Sequence, residues 1–250
     1  LSDSGYKTSE LGFSLGTKFE QFQNIFLSPE IDLLLEDLET SSKATNTLKK
    51  QEGSYTDLYF NYSINQDLRD KKFRTESGYQ TFFTQEVPII SDNSEFSNAF
   101  EISKFKKLST RSDTVGKISF YAKTITGLSD DVRISKRLNI PSTKLRGFEK
   151  SKVGPVDNND FVGGNHVTAL NLSATLPNIV EGLDNLDVGV FFDAANVWGV
   201  DYNSSLDDKS TIRTSVGVAF NLLTPIGPLS FSLANPLTCL LYTSPSPRDR

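Results

Sequence analysis

Along most of this chain an apolar side chain returns at every second position, and a helix, which repeats every 3.6 residues, cannot gather such residues onto one face. Leu11, Phe13 and Leu15 alternate with Gly12, Ser14 and Gly16. The same period recurs in Leu58 to Ile64, Thr168 to Leu176, Leu186 to Phe192, Val216 to Leu222 and Leu229 to Leu233. About ten segments follow it, many of roughly ten residues, and none resembles a long amphipathic helix. The fold class is therefore all-β and antiparallel. No run of eighteen apolar residues exists, so a membrane helix is not expected. A membrane barrel stays open, because its strands alternate and escape a window average. A soluble β-sandwich alternates too. Strand length, and short turns alternating with long polar loops, favour the transmembrane barrel.

Several boundaries follow from local chemistry. Proline has no N–H for a ladder, so Ser28-Pro29 reads as a turn or strand edge and Pro88 as a strand end. Glu39 to Ser54 is small and polar, a surface loop with room for one helical turn. Tyr55, Tyr79 and Tyr202 stand near strand ends, where membrane girdles place aromatics. The alternation stops between Gly127 and Gly163, and a gap of that length implies function or disorder. Thr224-Pro225-Ile226-Gly227-Pro228 reads as a tight turn. With no Met and no signal peptide at Leu1, the chain reads as a fragment of a longer protein. From Cys239 onward the residues match a translated transposase sequencing adapter, so 239–250 are taken as a non-native tail. Without Cys239 there is no thiol for a disulfide or a metal.

Composition narrows function by exclusion. The net charge of −5 gives no footprint for nucleic acid. His166 is the sole histidine, so neither a Ser-His-Asp triad nor a histidine-rich metal site can be assembled. It reads as an ordinary interfacial residue at a strand start. The acidic residues fall in loops or on polar faces, where solvated side chains account for nearly all of them. No catalytic residue, metal or cofactor is expected.

Three runs carry a more specific message. Leu145-Arg146-Gly147-Phe148 lies inside the long loop; Gly163-Gly164 marks the return to a strand, as a bulge, a close backbone approach or a plain turn; and Phe191-Phe192-Asp193-Ala194 ends a later strand. With the closing run Leu223 to Ala234 they resemble the barrel domain of the BamA family of outer-membrane insertases. The resemblance implies that the Arg-Gly-Phe loop folds back into the lumen and that Arg146 meets Asp193. Parity supports this independently: Asp193 faces away from Leu186, Val188 and Phe192, so if those face lipid, Asp193 faces the lumen. A guanidinium there can chelate the carboxylate, Gly147 permits a tight turn, and Phe148 supplies an apolar anchor. Leu145 stands for the commoner Val, Ala195 for a frequent Gly, and Pro141 where many members have paired glycines.

The resemblance further implies a partial barrel, about ten of sixteen strands, over residues 1–238, with the inward loop at about 127–163. It implies insertion and folding of β-barrel proteins into the outer membrane of a Gram-negative bacterium. An incoming strand is templated at a weak seam by β-augmentation. Both seam strands are expected to be missing here. The implied partners are unfolded outer-membrane β-barrel proteins, accessory lipoproteins and outer-membrane lipid. The alternatives are a translocation-assembly or two-partner-secretion barrel of the same superfamily, a diffusion porin, and a soluble carbohydrate-binding sandwich.

Overall fold

The computed structural model describes residues 5–42, 44–109, 113–157, 160–177, 182–183, 185–202, 206, 210–225 and 227–238. The expected non-native tail from Cys239 lies outside the described residues. The elements in order are β1 (Tyr6–Gly16), β2 (Phe19–Phe22), β3 (Ile25–Thr40), the single helical turn α1 (Asn46–Lys49), β4 (Gly53–Asp67), β5 (Gly78–Ser91), β6 (Glu95–Lys107) and β7 (Val115–Gly127). After a 3-10 turn at Ile134–Lys136 come β8 (Val156–Asp157), β9 (Asp160–Phe161), β10 (His166–Pro177), β11 (Leu186–Trp198), β12 (Arg213–Thr224) and β13 (Gly227–Pro236).

One antiparallel sheet holds all the long strands, in the order β1-β3-β4-β5-β6-β7-β10-β11-β12-β13, with β2 continuing the β1 edge beside β3. The tiny β8–β9 hairpin stands apart inside the long loop. Each long strand pairs with the next long strand in the chain, mostly through hairpins, while the long loop carrying β8 and β9 joins β7 to β10. Among the described residues the sheet does not close, and β1 and β13 are its edges.

Register keeps the long apolar rows on one face. Phe100 pairs with Phe83 and Ala122. Phe120 pairs with Leu170, and Leu172 with Phe192, which in turn opposes Val216. Among the described residues no second layer packs on this outer face: Phe13, Leu15, Ile118, Leu170, Val190 and Phe231 are exposed. The inner face carries Asp57, Glu95, Ser103, Ser119, Asp187, Asp193 and Ser215, all buried. A soluble sandwich buries its apolar face against a second sheet, so this inside-out arrangement is that of a membrane barrel wall, partly built.

Curvature follows from the loop between β7 and β10. A flat sheet of these ten strands would be roughly 43 Å wide at about 4.8 Å per step. Yet the loop reaches both edges. A Cβ on Gly5, which leads into β1, would stand 3.1 Å from Asp160, and one on Gly147 would stand 2.9 Å from the Ala234 methyl in β13. The wall must therefore wrap around the loop. The packed core is the contact between them. Val132, Leu138, Ile140, Leu145 and Val153 from the loop meet Ile125, Val167, Ala169, Ala195 and Val197 from the wall. A second cluster joins Ile134 and Val162 to Leu38, Ala44 and Leu48.

Two proline expectations are corrected. Pro29 lies within β3, not at a turn or edge. Its carbonyl accepts from Thr17 N–H at 3.1 Å, and its missing donor faces the same side, where β1 gives way to β2. The ladder thus breaks in the neighbour rather than in the proline's own strand. Pro88 does not end β5, which runs to Ser91. Pairing with β4 jumps from Ile90 to Pro88, leaving Ile89 as a bulge, and the ladder to β6 has already stopped at Glu86. A bulge absorbs the missing donor.

The face assignment makes a direct prediction. Leu170→Arg places a cation on the outer face, and folding into phosphatidylcholine vesicles is expected to lose about 2–4 kcal/mol in a denaturant titration. Ser173→Arg, three residues on and facing inward, is expected to lose less than about 1 kcal/mol. Equal losses would mean that the faces are assigned wrongly.

Candidate functional site

Strand β11 builds one half of the site. Its alternation places Phe191 and Asp193 on the inner wall beside Asn171 of β10. The loop brings the other half. Leu145 is buried in the loop–wall core, with Phe148 packed against it, and this pair fixes the height of the intervening Arg146. Arg146 then meets Asp193 three times. Its Nε donates to Oδ2 at 2.8 Å, its NH2 to Oδ1 at 2.7 Å, and its backbone N–H to Oδ2 at 3.1 Å. The guanidinium also lies over the Phe191 ring, 3.3 Å from its centroid. Asn171 donates to Asp193 Oδ1 at 2.8 Å and to the Lys144 carbonyl at 2.7 Å, so it ties wall carboxylate and loop backbone together. Asp193 is fully buried and Arg146 is 23 % exposed. A bidentate pair with an added backbone donor sets direction as well as position.

The glycines sit where side chains do not fit. Gly147 adopts φ +85° close against Ala234. Gly163 has φ +70°, and Gly164 exchanges both backbone hydrogen bonds with Leu138, N–H to O at 3.0 Å and O from N–H at 2.7 Å. A Cβ on Gly164 would stand 2.5 Å from the Trp198 carbonyl, so this is a close backbone approach rather than a plain turn. His166 stacks on Trp198, ring centroids 5.6 Å apart, on the outer face.

The expectation that acidic residues are nearly all solvated is corrected by a cluster that the motifs did not indicate. Arg133, completely buried, donates from Nε to Glu95 at 3.2 Å and from NH1 to Glu36 at 3.2 Å, and it also bonds Asp57. The three carboxylates come from β6, β3 and β4. Tyr55 lies under the guanidinium at 4.3 Å, and Tyr59 donates to Glu95 at 2.9 Å. Burial opposes the charge on Arg133, but Glu95 and Asp57 outweigh it and hold the guanidinium above its ordinary range.

Arg137 is a third tie. It donates to Asn165 at 2.9 Å and to the Val132 carbonyl at 3.0 Å, bonds Asp201, and lies 4.8 Å from the Tyr202 ring. Tyr55 and Tyr202 thus serve loop arginines rather than a girdle. Lys144 completes the set by pairing with Glu101 of β6. One signal for this docking was available: the inner-face positions of β10 and β11 turn apolar toward the loop, at Val167, Ala169, Ala195 and Val197. A water-facing wall has no reason to do so.

The opposite end is tied as well. The turn between β4 and β5 sends Arg74 to Asp187 on the inner face of β11, with Nε donating to Oδ2 at 3.0 Å and NH2 in ionic contact with Oδ1 at 2.9 Å.

A sheet with its apolar face outward and a charged loop fastened inward defines the wall of an outer-membrane β-barrel protein. The match to a family model settles which kind: residues 2–240 match the Omp85 superfamily domain, and the chain belongs to that superfamily. Among solved structures it is similar to BamA from Haemophilus ducreyi lacking POTRA domains 1–3. The TM-score is 0.81 at 19% identity, covering 94% of this chain and 52% of that one. At that identity the shared property is the fold, and this chain spans about half the length of the matched structure.

Removing one partner of a buried pair strands the other charge at roughly 3–5 kcal/mol. Arg146→Ala is therefore expected to free the loop, read as lost hydrogen-exchange protection across 132–153. Arg146→Lys, lacking the fork, should recover little, and the exchanged pair Arg146→Asp with Asp193→Arg should recover part. Arg133→Ala strands three carboxylates and should release the loop at least as far. Protection unchanged in both alanine variants would refute the docked loop.

Acid should act at Asp201. Burial raises its carboxyl, but the Val132 N–H and Arg137 outweigh this and hold it below the ordinary carboxylate range. A depressed folded-state value contributes stability above the unfolded value of about 3.9 and loses it as pH falls further. Fluorescence of Trp198, the only tryptophan, is expected to report an acid transition below that value. Asp201→Asn should remove that component, and an identical transition in both proteins would exclude Asp201 as its source.

Proposed function

We propose that this chain is the wall and lumenal loop of a protein that inserts and folds β-barrel proteins into the outer membrane of a Gram-negative bacterium. Residues 1–238 make up the barrel segment, and 239–250 are read as a non-native tail. The observation that carries the reading is the Arg146–Asp193 dock. A diffusion porin needs an open lumen lined by charges, whereas here loop cations are spent on wall carboxylates. In this reading Leu145, Arg146, Gly147 and Phe148 form the docking motif, Asp193 receives it, and Gly163 and Gly164 return the loop to the wall.

A docked loop that stiffens one side of a barrel leaves opening to the other side. In this reading an incoming strand is templated by unpaired backbone groups at a weak seam of the whole barrel. The substrates are unfolded outer-membrane β-barrel proteins, and accessory lipoproteins act alongside. A translocation-assembly or two-partner-secretion barrel of the same superfamily shares the fold, and the sequence preceding Leu1 separates the two.

The test is reconstitution of the full-length protein in vesicles, with the folding of an unfolded outer-membrane barrel followed by its heat-resistant mobility on a gel. The wild type is expected to speed folding, Arg146→Ala to lose at least tenfold of that acceleration, and Arg146→Lys to stay near the alanine level. Acceleration unchanged in both variants would sink the assigned role of the dock.

A further inference from the structure

Near one end of β6 the outer face carries a feature that an apolar wall does not require. On β6 the outward row ends in two lysines, Lys104 and Lys106, both exposed. Neighbouring Lys107 faces inward and pairs with Asp113 at 2.6 Å and Glu76 at 3.6 Å. Neither the Lys104 nor the Lys106 ammonium takes part in an ion pair or hydrogen bond among the described residues. Cations directed at lipid are disfavoured in the midplane and tolerated near the interfaces, so their position along the strand matters.

They lie toward the end of the sheet where 68–77 connects β4 to β5 and 108–114 connects β6 to β7, opposite the loop at 128–165. In outer-membrane barrels the shorter connections face the periplasm. The bilayer leaflet on that side is phospholipid.

Beside the lysines the wall is hollow. Lys106 pairs with Gly116, and Gly116 with Ala174, so two minimal side chains stand in the outward row where neighbouring rows have Ile118 and Leu172. Val190 closes the far side, and Leu108 lies over Gly116, where an added Cβ would meet it at 2.9 Å. The result is an open groove of about 580 Å³, mostly apolar, whose outward cations are Lys104 and Lys106; Lys117 and Ser173 also border it but belong to the inward rows of their strands. A small outward residue in a barrel wall costs nothing when fluid lipid fills the gap. A groove flanked by two unpaired cations is complementary to one kind of lipid.

We propose that this groove binds a single anionic phospholipid of the periplasmic leaflet, with an acyl chain along Ala174 between Leu108 and Leu172 and its phosphate held by Lys104 and Lys106. The site rests on the barrel orientation and not on the assembly role, and its readout does not use folding activity. The two ammonium groups match a phosphate that carries no cation of its own, so phosphatidylglycerol is favoured over zwitterionic phosphatidylethanolamine.

The experiment is native mass spectrometry of the full-length protein released from nanodiscs of equal phosphatidylglycerol and phosphatidylethanolamine. The wild type is expected to retain one phospholipid, with phosphatidylglycerol enriched at least threefold. Lys104→Gln with Lys106→Gln should abolish the enrichment. Ala174→Phe, which fills the groove and leaves both lysines, should cut retention at least threefold. Lys72→Gln, which removes an exposed charge from the turn at the same end, should change neither. Enrichment that survives the double lysine change, retention that survives Ala174→Phe, or an equal loss in Lys72→Gln would each overturn the site.

Discussion

A long charged loop can lie inside a barrel only if its charges are met there, because a stranded buried charge costs more than any single apolar contact returns. Here the meeting is arranged cation by cation. Arg133 takes Glu36, Asp57 and Glu95; Arg137 takes Asp201; Lys144 takes Glu101; Arg146 takes Asp193. The wall provides nearly all the acids and the loop all the bases. This division explains why the apolar core is built between loop and wall instead of between two sheets. The curvature that brings both edges within reach of the loop depends on the same contacts.

Strand β11 has a particular place in this scheme. Asp193 receives the long loop from one end, and Asp187 receives Arg74 from the other. The two carboxylates share the inner face, six residues apart, or roughly 20 Å along the strand. Connections from opposite ends of the sheet are thus referred to one rigid element, buried from both sides at its inner positions. Both tethers therefore end on the same strand.

The outer face obeys a different constraint. It has no protein to pack against, so its stability comes from ladder hydrogen bonds and from the surrounding hydrocarbon. This is why bulges and prolines are tolerated in its strands: at Pro29 the interruption is passed to the neighbouring strand, and at Pro88 it is absorbed by Ile89. It is also why two outward lysines stand out, since on this face a charge has only lipid or water to answer it.

Much of this was legible in the residue order. A period of two states which face each strand residue occupies, and parity alone placed Asp193 opposite Phe192 and on the same side as Asp187. The gap in alternation after Gly127 located the loop, and Arg-Gly-Phe within it named the guanidinium. What the order of residues could not state was contact between positions far apart in the chain. Arg133 lies 97 residues from Glu36, 76 from Asp57 and 38 from Glu95, and nothing local distinguishes these carboxylates from solvated ones. Nor does any local pattern reveal that Pro29 faces a break in another strand, or that Gly116 and Ala174 align to leave a groove. Alternation is a property of one strand, read directly from its residues. Register, curvature and charge pairing are properties of several strands at once, and only the folded sheet decides them.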